Sequence, residues 1–473
     1  MSIKFGTDGW RALMTEEFTE SNVMLCAQAV SNYLLEQGSH QNGLIIGYDT
    51  RENSEIFAKA VAEVAASNEI PVVFCEGPTP TPVVSYNLTA RDCAGGVIIT
   101  ASHNPKEWNG FKFRPGYGGS ASPDIVAQIE THIEKLNNTI SPNIMDFYHA
   151  QSIGIIEKID ASEPYMNHIA SLVDLDGIRK AGLNVIVDSM HGAGCGYINE
   201  LLRNGSTKII EIRGDPNPSF PGMLQPEPID QNLSELKTTV LENNGDVGLA
   251  LDGDADRLGL VEDNGVYVST LHTFALICKH LLENLGLKGT LVRSITMTNM
   301  IDQLGAIHGV SVVDTPVGFK HLGPVMMEEE ALAAGEESGG YAFRGHIPER
   351  DGILSALFML DMMVTTGKNP SELLEDLVHT VGPHYYKRID IEFDPVDREK
   401  IRNILNDFQP QNISGLDVKK IDTRDGYRFI LENKSWCLLR FSGTEPLLRI
   451  YAEANSDELV HSLLKSCQKL VSL

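Results

Sequence analysis

Between Thr15 and Gly38 the apolar residues Val23, Cys26, Ala27, Val30 and Leu34 recur at helical spacing, and "GLIIGYDT" after them is a short β-type run. The alternation continues. "NSEIFAKAVAEVAASN" predicts a helix opened by a polar cap, "IPVVFCEG" a strand, "TPVVSYNL" a short helix and "AGGVIITASHN" a further buried strand. The same grammar returns at "GLNVIVDSM", with a helix through "INELLRN", the strand "TKIIEIRGD", a helix near 232–243 and "DVGLALDGDADR". A third unit starts at "HTFALICKHLLENLG" and passes through "GTLVRSI", a helix near "NMIDQLGAIHG", "VSVVDTPVGF" and "ALAAGEESGGYAF". Each unit sets a polar cluster after an apolar strand, where ligands bind in open parallel sheets.

This pattern predicts three related α/β domains with mixed sheets, at 1–145, 146–257 and 258–368, followed by a smaller α+β domain at 380–473. The polar stretch "NNTISPNIMD" at 137–146 is the expected first linker, and "TTGKNPSELL" leads toward the last domain. A chain of 473 residues is too long for one core, so several domains of roughly 100–150 residues are expected in any case. No apolar stretch approaches the roughly 20 residues of a membrane helix, and "MSIKFGTDGW" lacks the pattern of a secretion signal. A cytoplasmic protein is expected.

The formal charge of −26 disfavours nucleic acid and membrane surfaces as partners, so clustered Arg and Lys point to a bound anion. Seven cysteines with no Cys-x-x-Cys pair give neither a disulfide framework nor a zinc site, and are expected to be reduced packing residues.

Within "DGDADR" the acids Asp252, Asp254 and Asp256 alternate, and an extended backbone would send all three to one side. Bare, they would repel; a hard cation such as Mg²⁺ would take their oxygens, with positions left for phosphate or water. An acidic surface loop or a calcium site is the plainer alternative. In "TASHNP" Ser102 is either a turn former or, with His103 beside it and Lys112 in "NGFKFR", a hydroxyl that carries phosphate. "RFSGTEP" offers Arg440, Ser442, Gly443 and Thr444 to phosphate oxygens, with Arg449 nearby, although such stretches also form ordinary hairpin turns. "GEESGG" places Glu336 and Ser338 between glycines, fit for vicinal sugar hydroxyls, while Glu337 and "EEE" at 328–330 read as solvated helix charge. "FGTDGWR" ends in Arg11, a turn residue or a phosphate contact. "GAGCGY" is no dinucleotide loop, because Tyr197 stands where the third glycine is needed, and His191 beside it reads as a hydrogen-bonded loop residue.

Taken in order, "FGTDGWR", "TASHNP", "DGDADR", "GEESGG" and "RFSGTEP" resemble the α-D-phosphohexomutase family, over nearly the whole chain. The resemblance implies that Ser102 is a phosphoserine and that Asp252, Asp254 and Asp256, with a Ser102 phosphate oxygen, hold Mg²⁺. It implies that hexose monophosphates are converted through glucose 1,6-bisphosphate, which is both intermediate and activator. Arg11, His103 and Lys112 would surround the phosphoryl group, Arg257 would lie beside the metal loop, and Lys320 in "TPVGFKHLG" would be the second acid or base. Glu336 and Ser338 would bind sugar, and Arg440, Ser442, Gly443, Thr444 and Arg449 the distal phosphate. Reorientation of the bisphosphate implies a hinge near 366–383.

The "GEESGG" loop lacks the methionine of dual-specificity phosphomannomutases and the glutamine of phosphoglucosamine mutases, so Glu337 points to glucose. The "RFSGTEP" clamp is close to the phosphoglucosamine form, which keeps phosphomannomutase and phosphoglucosamine mutase activity as alternatives. Two readings belong to other classes. A haloacid-dehalogenase-like phosphatase would use Asp252 as nucleophile and Asp254 as general acid, leaving Ser102 idle, and a sugar-phosphate sensor would keep the clamp without turnover.

Overall fold

The computed structural model describes residues 3–6, 8–136, 142–443 and 446–471. Its first sheet holds β1 (Trp10–Leu13), β2 (Leu44–Tyr48), β3 (Val72–Cys75), β4 (Gly95–Ile99), β5 (Trp108–Pro115) and β6 (Ile156–Ile159), in the order β1-β5-β4-β2-β3-β6. β4, β2, β3 and β6 run parallel, β5 returns antiparallel to β4, and β1 pairs antiparallel with β5 and so runs in the direction of β4. Every residue of β2 and β4 is buried, as the continuous apolar runs require when helices cover both faces. Those helices are α1 (Glu20–Glu36), α2 (Ser54–Ser67), α3 (Thr81–Ala90), α4 (Pro123–Leu136) and α5 (Phe147–Ser152). Thr19 caps α1 by accepting from the Asn22 amide. The polar cap expected for α2 is not formed: Asn53 takes φ 62° and its side chain makes no cap bond.

The second sheet repeats the plan with β7 (Asn184–Asp188), β8 (Lys208–Ile212), β9 (Val247–Leu251), β10 (Leu258–Glu262) and β11 (Tyr267–Val268), in the order β11-β10-β9-β7-β8. Helices α6 (Ser162–Ala170), α7 (Leu175–Lys180), α8 (Tyr197–Leu202) and α9 (Ser234–Glu242) accompany it. The sheets change over later than the boundaries at 145 and 257 would have it. β6 lies in the first sheet, and β10 pairs antiparallel with β9, carrying the second sheet past Arg257. The pairing decides membership, and pairing partners are not written in the local pattern. Of the expected linker, residues 137–141 lie outside the described residues.

A third sheet, β12 (Leu291–Ser294), β13 (Val312–Thr315), β14 (Ala333–Gly335) and β15 (Tyr341–Phe343), has the order β13-β12-β14-β15. Around it lie α10 (Thr270–Lys279), α11 (Met300–His308), α12 (Phe319–Glu328), α13 (Gly352–Thr366) and α14 (Pro370–Val381). One apolar core runs through these domains, from Ile45 and Ile98 beneath the first sheet to Leu357 and Leu377 of the third. The last domain is antiparallel throughout: β16 (Tyr385–Glu392), β17 (Asn412–Ile413), β18 (Leu416–Asp422), β19 (Tyr427–Leu431), β20 (Trp436–Phe441) and β21 (Leu447–Ala454), with α15 (Arg398–Asp407) and α16 (Asp457–Leu470). Ile295 of the third domain packs with Trp436, Leu438 and Tyr451 of the fourth. Among the described residues no helix is long and apolar enough to cross a membrane. The seven cysteines are free, and all but Cys195 are buried.

Candidate active site

In each of the first three sheets the last parallel strand turns back into an antiparallel neighbour, and that turn carries the polar cluster. Residues 100–107 join β4 to β5, 252–257 join β9 to β10, and 336–340 join β14 to β15. In the fourth sheet 442–446 join β20 to β21; Thr444 falls outside the described residues.

Ser102 is buried and holds φ +50°, a left-handed conformation that costs a residue with a Cβ of order 1 kcal/mol or more. Its Oγ donates to Asp252 Oδ2 at 2.7 Å and lies 3.3 Å from His103 Nδ1. The two loops touch closely: a Cβ on Gly253 would stand 2.4 Å from the Ser102 carbonyl oxygen. Glycine is required there.

The acids converge, but not along an extended strand. Residues 252–257 form a tight turn in which Ala255 takes φ 56°, and the amides of Asp256 and Arg257 fold back to donate to Asp252 Oδ1 at 2.9 and 3.1 Å. One oxygen from each of Asp252, Asp254 and Asp256 lies within 4.8 Å of the others, and all three side chains are buried. Burial, then the neighbouring Asp256 and Asp254, push the Asp252 carboxyl well above its ordinary range. Burial acts the same way on Asp254, but Lys112 outweighs it and holds Asp254 low. Asp254 Oδ1 and Asp256 Oδ1 are buried without a hydrogen-bond partner. Orphaned carboxylate oxygens in an all-oxygen cluster fit a hard divalent cation such as Mg²⁺.

Cations ring this centre. Lys112 Nζ lies 2.7 Å from Asp254, 3.1 Å from Asp256 and 2.9 Å from Asp8. Arg257 is 3.8 Å from Asp256 and 3.9 Å from Asp252, and pairs with Glu227 at 3.2 Å. Arg11 donates to Asn104 in the serine loop at 2.8 Å. Burial first, then Arg257, Arg11 and Arg51, press the His103 pKa well below its ordinary value, which favours the uncharged ring. Lys320 reaches the Gly6 carbonyl at 3.5 Å, and burial lowers its pKa.

In the third loop Glu336 is buried and accepts from the Gly318 amide at 2.6 Å. Ser338 is half-buried beside it. Glu337 is not the solvated charge expected from the sequence: it packs at 3.4 Å from Arg388 of the fourth domain, whereas 328–330 are exposed. In that domain Arg440 pairs with Asp425 at 2.9 Å, Arg449 lies 3.8 Å from Asp390, and the Ser442 carbonyl accepts from Arg398 at 3.1 Å. Gly443 has open space where a Cβ would go. Outside the site, His191 bonds the Asp215 carbonyl at 2.9 Å, as a loop residue should.

Four family descriptions match in order along the chain: phosphoglucomutase/phosphomannomutase alpha/beta/alpha domains I, II and III over residues 2–139, 163–265 and 271–381, and the C-terminal domain over 395–468. The chain belongs to the phosphoglucomutase/phosphomannomutase family. It is 32% identical over 469 residues to a phosphoglucomutase/phosphomannomutase of Thermococcus kodakarensis, covering 99% of this chain and 98% of that one. It is 33% identical over 463 residues to a Methanosphaera stadtmanae protein assigned as a phosphoglucosamine mutase, covering 98% and 96%. Its structure matches that of a Thermus thermophilus protein assigned as a phosphomannomutase with a TM-score of 0.86, at 32% identity and full coverage of both chains.

As a member of the phosphoglucomutase/phosphomannomutase family the chain is a phosphohexomutase, an isomerase, and its loops gather what such an enzyme needs from four domains. Several gathered residues were not singled out from the sequence. Arg350 lies 2.8 Å from Asp256 and 2.5 Å from Asp8, and 3.9 Å from Glu336, so one guanidinium joins three domains. Asp8 is held well below the ordinary carboxylate range, since Arg114, Lys112 and Arg350 overcome its burial. Thr81 donates to Asp254 at 2.5 Å. Asp8 carried a signal as part of "FGTDGWR", and so did Asp49 and Arg51, which in "YDTR" follow an apolar strand as Ser102 does.

Proposed function

We propose that this phosphohexomutase interconverts hexose 1-phosphate and hexose 6-phosphate by way of phosphate carried on Ser102 and a hexose bisphosphate, with glucose the preferred sugar. The observation that carries the reading is the meeting of Ser102 Oγ with Asp252 at 2.7 Å inside a buried triad ringed by Lys112, Arg257 and Arg11. Asp252, Asp254 and Asp256, with an oxygen of the Ser102 phosphate, would hold Mg²⁺, which supplies positive charge against the transferring group.

The P–O bond to Ser102 Oγ breaks as a P–O bond to a free sugar hydroxyl forms. Ser102 regains a proton and the sugar hydroxyl loses one. His103, 3.3 Å from Ser102 Oγ, would take the hydroxyl proton as phosphate is transferred onto Ser102 and return it from the resulting imidazolium when phosphate leaves, and Lys320, its pKa lowered by burial, is the group to take the proton from the sugar. Lys112, Arg11 and Arg257 keep the phosphoryl oxygens in line and offset their charge. The bisphosphate then turns end for end and its other phosphate returns to Ser102. Glu336 and Ser338 bind hydroxyls common to both orientations. Arg440, Ser442, Gly443, Thr444 and Arg449 grip whichever phosphate is distal. Glucose 1,6-bisphosphate primes the serine. The Glu337 loop supports glucose over mannose and glucosamine. Seven free cysteines suit a reducing, cytoplasmic compartment.

Intact mass and peptide mapping before and after incubation with glucose 1,6-bisphosphate and Mg²⁺ test the proposal. One phosphate on Ser102, lost with glucose 1-phosphate turnover in Ser102→Ala, is the expected result. Acid-labile phosphate on Asp252 would establish the phosphatase chemistry instead, and bisphosphate binding without turnover would leave a sensor.

A further inference from the structure

Arg51 lies outside the five motifs, yet it is 3% exposed and all five N–H donors of its guanidinium are used. Nε donates to Asp49 Oδ2 at 3.0 Å. Nη1 donates to the carbonyls of Pro105 and Trp108 at 2.8 and 3.0 Å, and Nη2 to those of Ser102 and Asn104, both at 2.6 Å. Three of the five bonds therefore close on the backbone of the loop that carries Ser102, and a fourth on Trp108, where that loop enters β5. We infer that Arg51 is a positioning residue for phosphoryl transfer: its guanidinium clamps the turn that holds Ser102 left-handed, and so aims the Oγ at Asp252. The inference rests on the proposed role of Ser102 as phosphate carrier.

The strand register supplies this geometry. β2 and β4 are parallel neighbours with Tyr48 opposite Ile99, so Arg51 and Ser102 each stand three residues beyond the end of their strand. Beneath them Asp49 organises the rest. It accepts from Ser54 Oγ at 2.8 Å and Thr100 Oγ1 at 2.6 Å, and Thr100 Oγ1 in turn accepts the Ser102 amide at 2.8 Å. Both the amide and the carbonyl of Ser102 are thus pinned by one buried Asp–Arg pair. Phe220, from the loop of the second domain, covers the guanidinium with its ring centroid 5.1 Å away and is itself buried. A strained φ of +50° persists only where surroundings over-determine it, and these bonds are what over-determine it. The fork shape matters: an ammonium has three donors at one point and cannot span four carbonyls.

A merely structural role would lower stability while leaving transfer and binding in proportion. The test measures, in full-length Ser102-dephosphorylated enzyme with Mg²⁺, the single-turnover rate of phosphate transfer from glucose 1,6-bisphosphate to Ser102 by quenched intact mass, and separately the Kd for glucose 1-phosphate. Arg51→Lys and Arg51→Met should slow transfer about 100-fold while Kd changes by less than about threefold, and the retained charge of lysine should not rescue the rate. Should either variant fail to fold by thermal melting, Thr100→Val, which removes the anchor of the Ser102 amide together with its link to Asp49 and leaves Arg51 in place, should slow the same step by about tenfold with Kd unchanged. A folded Arg51→Lys that phosphorylates Ser102 within about twofold of the wild type overturns the inference, as do rate and affinity falling together. Wild-type enzyme that never takes phosphate on Ser102 overturns the carrier role, and this inference with it.

Discussion

At the scale of single residues the site is a concentration of charge held together by mutual neutralisation. Asp252 is pushed up by burial and by two neighbouring carboxylates, so the triad without a divalent cation is under repulsion. Mg²⁺ should therefore raise the melting temperature, by the equivalent of about 2.7 kcal/mol at a hundredfold excess over Kd, and Asp256→Asn should weaken that response; calorimetry with and without chelator checks it. Gly253→Ala places a methyl 2.4 Å from the Ser102 carbonyl and must part the two loops. About 100-fold in kcat should be lost with the fold retained, as read from a coupled assay beside circular dichroism. Ser102, His103 and the triad were legible because each follows an apolar strand. Arg350 was not, because its partner Asp8 is 342 residues away, and an ion pair across that distance leaves no mark in either neighbourhood.

At the scale of elements, the strand-to-strand turn recurs from sheet to sheet, and the helices that back those turns set the stability. α13 is buried from Gly352 to Met363 and packs against elements of the second and third domains. Leu357→Ala should cost about 2–5 kcal/mol, measured by urea unfolding, with little change in KM. Strand β21 contributes a second kind of element-level link. Glu453 accepts from Trp436 at 2.7 Å, from Thr298 at 2.6 Å and from the Asn299 amide at 3.0 Å, and pairs with His384 at 2.6 Å, bolting the fourth sheet to the third. Burial alone would raise its pKa, but His384, Thr298 and Asn299 win and hold it below the ordinary value. A depressed carboxyl stabilises above its unfolded pKa and loses that contribution as pH falls through the folded one. Glu453→Gln should thus cost about 1–3 kcal/mol at pH 7, and the gap from wild type should close on acidification below the ordinary glutamate range.

At the scale of the molecule, the fourth domain must move if a bisphosphate is to turn over, and the structure narrows where. Most of the segment expected to bend, 366–383, is α14, which packs on α10 and α11. Only Gly382 to His384 lie between that helix and β16, and Gly382 takes φ 80°. Hydrogen exchange on adding glucose 1,6-bisphosphate should fall at 382–384 and at the Glu337–Arg388 contact, while α14 stays protected throughout; unchanged exchange at 382–384 would remove the hinge.

The sequence by itself determined the repeated strand-and-helix plan, the four polar turns and the residue types that could carry phosphate, because burial on both sheet faces writes continuous apolar runs and ligand loops interrupt them. Tertiary structure alone decided that the aspartates converge through a tight turn, with Ala255 at φ 56°, that β10 and β11 belong to the second sheet, and that Glu337 faces Arg388. It also decided that Arg51 and Arg350 stand behind the motifs. These are matters of strand pairing and of charges meeting across domains, and their free energy resides in contacts between residues far apart in the chain.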